Sequence, residues 1–220
     1  KGKILTNHEV TDILIQDGNA RGIKCGQKSF HAEQVIIAVP VQEIFSFLDE
    51  DNCQEDFVRL CKNLRPTAGL SLDVALNAEI SDENGLYYLE DPLSFGFFTS
   101  NLDPSCVPEG KQLFTICTPQ EVEDIKDEGS RRKLLTSLRN KLYQAFPEME
   151  SHVEFERPLF TMFDGVEVNT NQYRELRPGF TVGGVKNLYL VGDCLASDGA
   201  GGDIGHNSVW DCYELIRKRS

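Results

Sequence analysis

Residues 187–216 read NLYLVGDCLASDGAGGDIGHNSVWDCYELI, and this stretch decides the fold class. Residues 188–191 (LYLV) make a short, wholly apolar strand that runs into Gly192–Asp193, a loop, a glycine cluster and a helix. Val209, Tyr213 and Ile216 fall at i, i+4 and i+7, which predicts an apolar stripe on a last helix beginning near Ile204. Strand, glycine-rich turn and helix start together form a cradle for an anion or a dipole, because the first amides of a helix lack partners and the helix dipole favours negative charge there. Gly199, Gly201 and Gly202 allow unusual backbone angles and close approach of a ligand. Asp193, at the carboxyl end of a parallel strand, stands where open α/β sheets place ligand contacts. A carboxylate there sits poorly against phosphate but accepts well from sugar or ribityl hydroxyls. The plainer reading is a glycine-rich turn capping a core helix. The segment is not GxGxxG, and no P-loop lysine follows it.

Working outward, the beginning of the chain is β-structure. Residues 10–16 (VTDILIQ) end at the Asp17–Gly18 turn signal, 22–25 continue, Gly26–Gln27 turn again and 29–32 resume, which predicts an antiparallel meander. Residues 35–39 (VIIAV), stopped by Pro40, suit a strand covered on both faces, as in a parallel sheet flanked by helices. Short helices are expected around Ile44, Phe45 and Leu48 and again from Phe57 to Leu64. Between Leu70 and Thr118 the alternation of Leu70, Leu72, Val74 and Leu76, with aromatic-rich runs after it, predicts an antiparallel sheet. Residues 130–146 are the clearest helix, with Leu134, Leu135, Leu138, Leu142 and Phe146 at helical spacing and Pro147 at the end. The fold class is α/β (α+β): a partial Rossmann-like domain, built from residues 1–40 and 184–220, around an antiparallel-sheet domain with helices over 41–183.

The chain has 220 residues, with 22 basic and 35 acidic side chains and a formal charge of -13, which repels phosphate backbones and argues against nucleic-acid binding. Its 7 cysteines are scattered, odd in number and never in a CxxC pair, so they read as reduced thiols and not as a disulfide framework or a metal site. No apolar run approaches the roughly 18 residues of a membrane span, and no signal peptide is visible. A cytoplasmic protein is expected, with room for peripheral membrane contact. The start at Lys1, without methionine, reads as that of a truncated or processed fragment.

The two ends together resemble the family of phytoene-desaturase-like and amine-oxidase-like FAD-dependent oxidoreductases. NLYLVGD followed by a glycine-rich stretch and a helix is similar to the family's C-terminal signature. Residues 3–40, with V-x-x-I, a DG turn, a GI strand and A-x-x-VIIAVP, are similar to its middle section. Pro108-x-Gly110 before a strand and Arg177-Pro178-Gly179 ahead of NLYLVGD add to the likeness. The resemblance implies that Val10 offers its backbone to the adenine end of FAD. It implies that Gly192 and Asp193 meet the ribityl or pyrophosphate region. It further implies that the turn at Gly201, Gly202, Asp203, Ile204 and Gly205 brings amides to the pyrimidine edge of the flavin, where charge accumulates on reduction. Asp203 departs from the family's usual apolar residue, and the loop after Asp193 is about one residue longer. The family's amino-terminal GxGxxG unit is not in this sequence, so FAD is expected to be held by a longer protein, with a missing N-terminal half as partner, and not by these residues alone.

The cofactor would carry the hydride chemistry, so no side-chain acid or base is required. No catalytic triad and no metal cluster is visible. His206 reads as a capping or solvent-facing residue, and Cys194 has no basic partner in sequence to activate it. Tyr87, Tyr88, Phe95, Phe97, Phe98 and Phe114 would roof the substrate side of the flavin or form an ordinary core. By resemblance the substrate is an apolar small molecule, with carotenoid-like polyenes ahead of porphyrinogens and amines. The alternatives are a non-catalytic binding module of the same fold that has lost the FAD motif, and a flavoprotein of a related fold with a different C-terminus.

Overall fold

The structure is a computed structural model that describes residues 2–219. Strands β1 (Asp12–Gln16), β2 (Asn19–Cys25) and β3 (Lys28–His31) form the expected antiparallel meander. Asp17 and Gly18 join the first two with φ of 50° and 68°, the primed turn whose twist matches a two-residue hairpin. Strand β4 (Val35–Ile37) follows, then helix α1 (Glu55–Asn63), which buries Phe57 and Cys61. The helix expected around Ile44 is only a 3-10 turn at Ile44–Ser46, although Ile44 and Leu48 are fully buried.

Next come β5 (Pro66–Leu76), β6 (Tyr87–Glu90), β7 (Leu93–Phe98), α2 (Thr99–Leu102) and β8 (Gln112–Gln120). They are followed by α3 (Val122–Lys126), α4 (Glu128–Ala145), α5 (Met149–His152) and β9 (Val153–Val166). The five strands form one sheet in the order β6-β7-β8-β5-β9. Leu70, Leu72, Val74 and Leu76 point to one face, where Phe114, Ile116 and the α4 residues Leu138 and Leu142 complete a buried core. Asp127 caps α4 by accepting from the Ser130 amide at 2.6 Å. Tyr87, Phe98, Phe114 and Phe146 meet edge to face in this core, with ring centroids 4.8 to 6.1 Å apart. Strand parity thus divides the aromatic set. Tyr87, Phe98 and Phe114 are packing residues, while Tyr88 (68% exposed), Phe95 (39%) and the half-buried Phe97 lie on the opposite, uncovered face.

The chain ends with β10 (Leu188–Leu190) and α6 (Gly202–Arg219). β10 pairs in parallel with β4, with Leu188 opposite Val35, Tyr189 opposite Ile36 and Leu190 opposite Ile37. Two compact units result: one runs to Arg65 and resumes at Gly165, the other is Pro66–Asp164. The first unit takes in 41–65 and 165–183, which residue patterns alone group with the middle of the chain. It does so because Ile44, Leu48, Phe57, Cys61, Leu64 and Val182 share a core with Ile37, Leu188 and Leu190. Among the described residues, no helix is long and apolar enough to cross a membrane.

Two expectations are corrected by the structure. β4 is not covered on both faces, since Ile36 is 52% exposed and β10 is its only strand neighbour among the described residues. The buried stripe of α6 is Ile204, Ser208 and Cys212, whereas Val209 and Tyr213 are 51% and 53% exposed. Small side chains let the helix approach the strand ends closely, and the larger apolar ones are turned outward. Phe114→Ala should therefore cost about 3–5 kcal/mol in denaturant unfolding. Val209→Ser on the outer face of α6 should change stability by less than about 0.5 kcal/mol.

Candidate cofactor site

The site residues gather at the carboxyl ends of the β4–β10 pair. β4 leads into Ala38 and Val39, and β10 leads through Val191 into Gly192 and Asp193. Gly192 has φ of 146°, a conformation that side chains with Cβ rarely adopt. Its amide donates to Ser208 Oγ at 2.9 Å, and the same hydroxyl donates to the Gly205 carbonyl at 2.6 Å. Ser208 is thus a buried polar residue with both roles filled, clamping α6 to the strand end. Gly205 lies against the loop, and a Cβ there would stand 3.6 Å from the Asp193 amide.

Asp193 is half-buried. Its Oδ1 accepts the Cys194 thiol at 3.4 Å, and its carbonyl accepts from Arg177 Nη1 at 3.2 Å. Arg177 also donates from Nε to the Gln172 carbonyl at 2.8 Å. Burial pulls the Arg177 pKa below its ordinary value, partly offset by Cys194 and Asp193 nearby. Sequence reasoning did not assign this residue a role. The signal available was Arg177-Pro178-Gly179 directly ahead of the strand, and its function is to pin the Asp193 peptide.

The glycine turn is formed at the start of α6. Gly199 has φ of 118°, and a Cβ there would come within 2.7 Å of the Asp203 Cβ. Asp203 donates its amide to the Ala200 carbonyl at 3.2 Å, and Ile204 donates to Gly201 at 3.1 Å. Those two amides are spent inside the turn, which narrows any ligand contact to the exposed backbone of Gly201 and Gly202. Asp203 itself is exposed, and Ile204 is buried.

Val10 is placed elsewhere in the same unit. It lines a groove of about 840 Å³ together with Ile36, Ala38, Val39 and Gln42. Asp193 and the glycine turn do not line this groove. The structure therefore brings Gly192, Asp193 and Gly205 into contact and sets Gly201, Gly202 and Asp203 beside them. Val10 is linked to them through Ala38 and Val39, which line its groove and follow the carboxyl end of β4.

The remaining candidates are quiet. His206 is exposed, and its Nε2 accepts from Trp210 Nε1 at 3.4 Å. Burial pushes the Cys194 and Cys61 thiols up to about 12 and Cys53 up to about 11, so none is a ready thiolate. Among the described residues no group of His, Cys, Asp and Glu could hold a metal ion.

No family model matches the sequence, and no curated protein matches it. Solved structures share its fold. An oxidoreductase from Methanosarcina mazei is 20% identical with a TM-score of 0.71, over 93% of this chain and 49% of that one. Cyclohexylamine oxidase from Brevibacterium oxydans is 14% identical with a TM-score of 0.55, over 96% and 49%. Putrescine oxidase bound to putrescine is 10% identical with a TM-score of 0.64, also over 96% and 49%. At these identities the likeness is one of fold alone. The chain spans about half the length of the structures that it matches.

Two outcomes check the local geometry. Gly199→Ala should destabilise the chain by about 1–3 kcal/mol, read from denaturant midpoints. Brief alkylation near pH ~8 followed by mass spectrometry should label the exposed Cys106 and leave Cys61 and Cys194 unmodified until the chain is unfolded.

Proposed function

We propose that this chain is the C-terminal half of an FAD-dependent oxidoreductase of the desaturase, dehydrogenase or isomerase type, acting on an apolar small molecule. The observation that carries the reading is the convergence of two separately encoded segments. Residues 35–39 and 187–205, each similar to a cofactor-facing segment of that family, meet at the carboxyl ends of one parallel strand pair. Open α/β sheets bind ligands at that end.

The residues present fit the group. Gly192 and Gly201 keep open space where a Cβ would stand, with nothing within 4 Å of it, so a ligand can approach their backbone closely. When bound, the flavin supplies hydride transfer at carbon next to carbon or nitrogen. The chain's own part is positioning and electrostatics. Asp193 accepts from ribityl hydroxyls, with its peptide held by Arg177. The backbone of Gly201 and Gly202 and the start of α6 place positive dipole at the pyrimidine edge, favouring the charge of the reduced ring. Val10 offers its backbone to the adenine end.

The missing partner is the half that carries the GxGxxG grip. Its docking is supported by the open edge of β4, since a two-stranded parallel sheet leaves backbone groups unmatched. Val209, Trp210 and Tyr213 on α6 offer a second uncovered apolar face in the same unit. Tyr88, Phe95 and Phe97 provide apolar surface suited to a conjugated substrate, and a carotenoid-like polyene is favoured by family resemblance. The seven cysteines are all free, which fits a reducing compartment such as the cytoplasm. Peripheral membrane contact would deliver a lipid-soluble substrate.

The 220 residues alone should purify colourless and without turnover; a flavin spectrum on the isolated chain would contradict the need for a second half. In the longer protein, Asp193→Ala should weaken FAD retention by on the order of tenfold, the loss of a charged hydrogen-bond acceptor, measured by ultrafiltration and flavin fluorescence.

A further inference from the structure

The groove lined by Val10 holds an anomaly. Gln42 belongs to its lining, yet both amide atoms, Nε2 and Oε1, are buried and neither has a hydrogen-bond partner. Buried amides are normally satisfied, and each unmet group costs free energy that the fold would otherwise avoid. The other unit shows the ordinary outcome. Gln112 is buried, whereas Gln42 is half-buried with only its amide atoms shielded, and the Gln112 amide accepts from the Ile80 N–H at 2.9 Å and donates to the Ser81 carbonyl at 2.6 Å and Asn101 Oδ1 at 2.7 Å. Among the described residues, Gln42 alone keeps a buried donor and acceptor side by side with nothing to meet them.

The surroundings restrict what could meet them. Val10, Ile36, Ala38, Val39 and Phe47 make the groove apolar, which suits a flat ring and not a sugar. Glu9 and Glu43 also line it, and their carboxylates repel a phosphate from this end. The backbone N–H and carbonyl of Val10 take no backbone partner among the described residues, so they too are available. An uncharged heteroaromatic ring with a donor next to an acceptor matches both the apolar walls and the amide. Adenine presents that pair as N6–H and N7, and a glutamine amide binds it with two hydrogen bonds.

We propose that Gln42 is the base-reading residue of this groove, its amide turning outward to pair with N6 and N7 of an adenine ring. The proposal rests on the flavin-dinucleotide reading and deepens it, since it gives the adenine end a side chain that discriminates between bases. Binding exchanges two unmet polar groups for a bidentate pair, so the selectivity is built on strain already present in the free chain.

The test titrates adenosine and inosine into the 220-residue chain. Chemical shifts of the Gln42 side-chain NH₂ and of the Val10 and Ala38 amides are followed by NMR. Inosine replaces the N6 donor with an acceptor, so through the edge that carries N7 it can satisfy only half of the amide. Adenosine should shift all three probes and bind on the order of tenfold tighter than inosine. Gln42→Leu should abolish that preference while melting no lower than wild type, because no internal hydrogen bond is lost. Gln42→Glu, which keeps the shape but loses the donor to N7, should abolish it as well. Equal binding of the two nucleosides to wild type, or a clear drop in the melting temperature of Gln42→Leu, overturns the proposal. Shifts at Val10 and Ala38 that bypass Gln42 overturn it while leaving the adenine site standing. No shift with either nucleoside also overturns it, and the flavin reading is then judged on the cofactor held by the longer protein.

Discussion

Everything at the candidate site hangs on the parallel pairing of Val35–Ile37 with Leu188–Leu190. Parallel strands cannot be joined by a tight turn, so a long crossover is obligatory, and here it includes the whole second unit. The pairing is long-range, a class of contact whose loop-closure cost comes before its reward, and Leu188, Tyr189 and Leu190 are all buried. Once formed, it fixes where both strands stop. Ala38 and Gly192–Asp193 end up side by side without any contact between them having to be specified separately.

The loop and helix beyond those strand ends are built from small residues and internal bonds. Ser208 and Cys212 let α6 come close, Ser208 ties Gly192 to Gly205, and Arg177 holds the Asp193 peptide from the other direction. The result is a loop pinned by hydrogen bonds from two sides, with Cys194 and Cys61 held by burial well above the ordinary thiol pKa. Such a site can orient and polarise, and its buried Cys194 is not a ready nucleophile. That is the protein's share of the work where a cofactor performs the chemistry.

Much of this was legible from residue patterns, and the failures have physical causes. The meander, the Asp17–Gly18 turn, both short apolar strands and α4 follow from local periodicity and turn chemistry. β9 is obscured because Arg157 and Pro158 break the alternation of Val153, Glu154, Phe155 and Glu156 after four residues, and its pairing is supplied by β5. The α6 stripe was misassigned because hydrophobicity favours Val209 and Tyr213, whereas close approach selects Ser208 and Cys212. The aromatic set divided by parity, which sends Tyr87 and Tyr88 to opposite faces although they are neighbours in sequence. Arg177 shows in the sequence only as part of Arg177-Pro178-Gly179, and Gln42 not at all, since only the folded chain reveals which polar groups are buried and what they meet.

The central claim is that this half-sheet completes a flavin site. The most direct measurement is to denature the purified full-length protein and identify the released small molecule by mass spectrometry. The account predicts FAD in near-stoichiometric amount. Release of a nicotinamide dinucleotide instead, or of no cofactor from protein folded and purified in the presence of FAD, would contradict it.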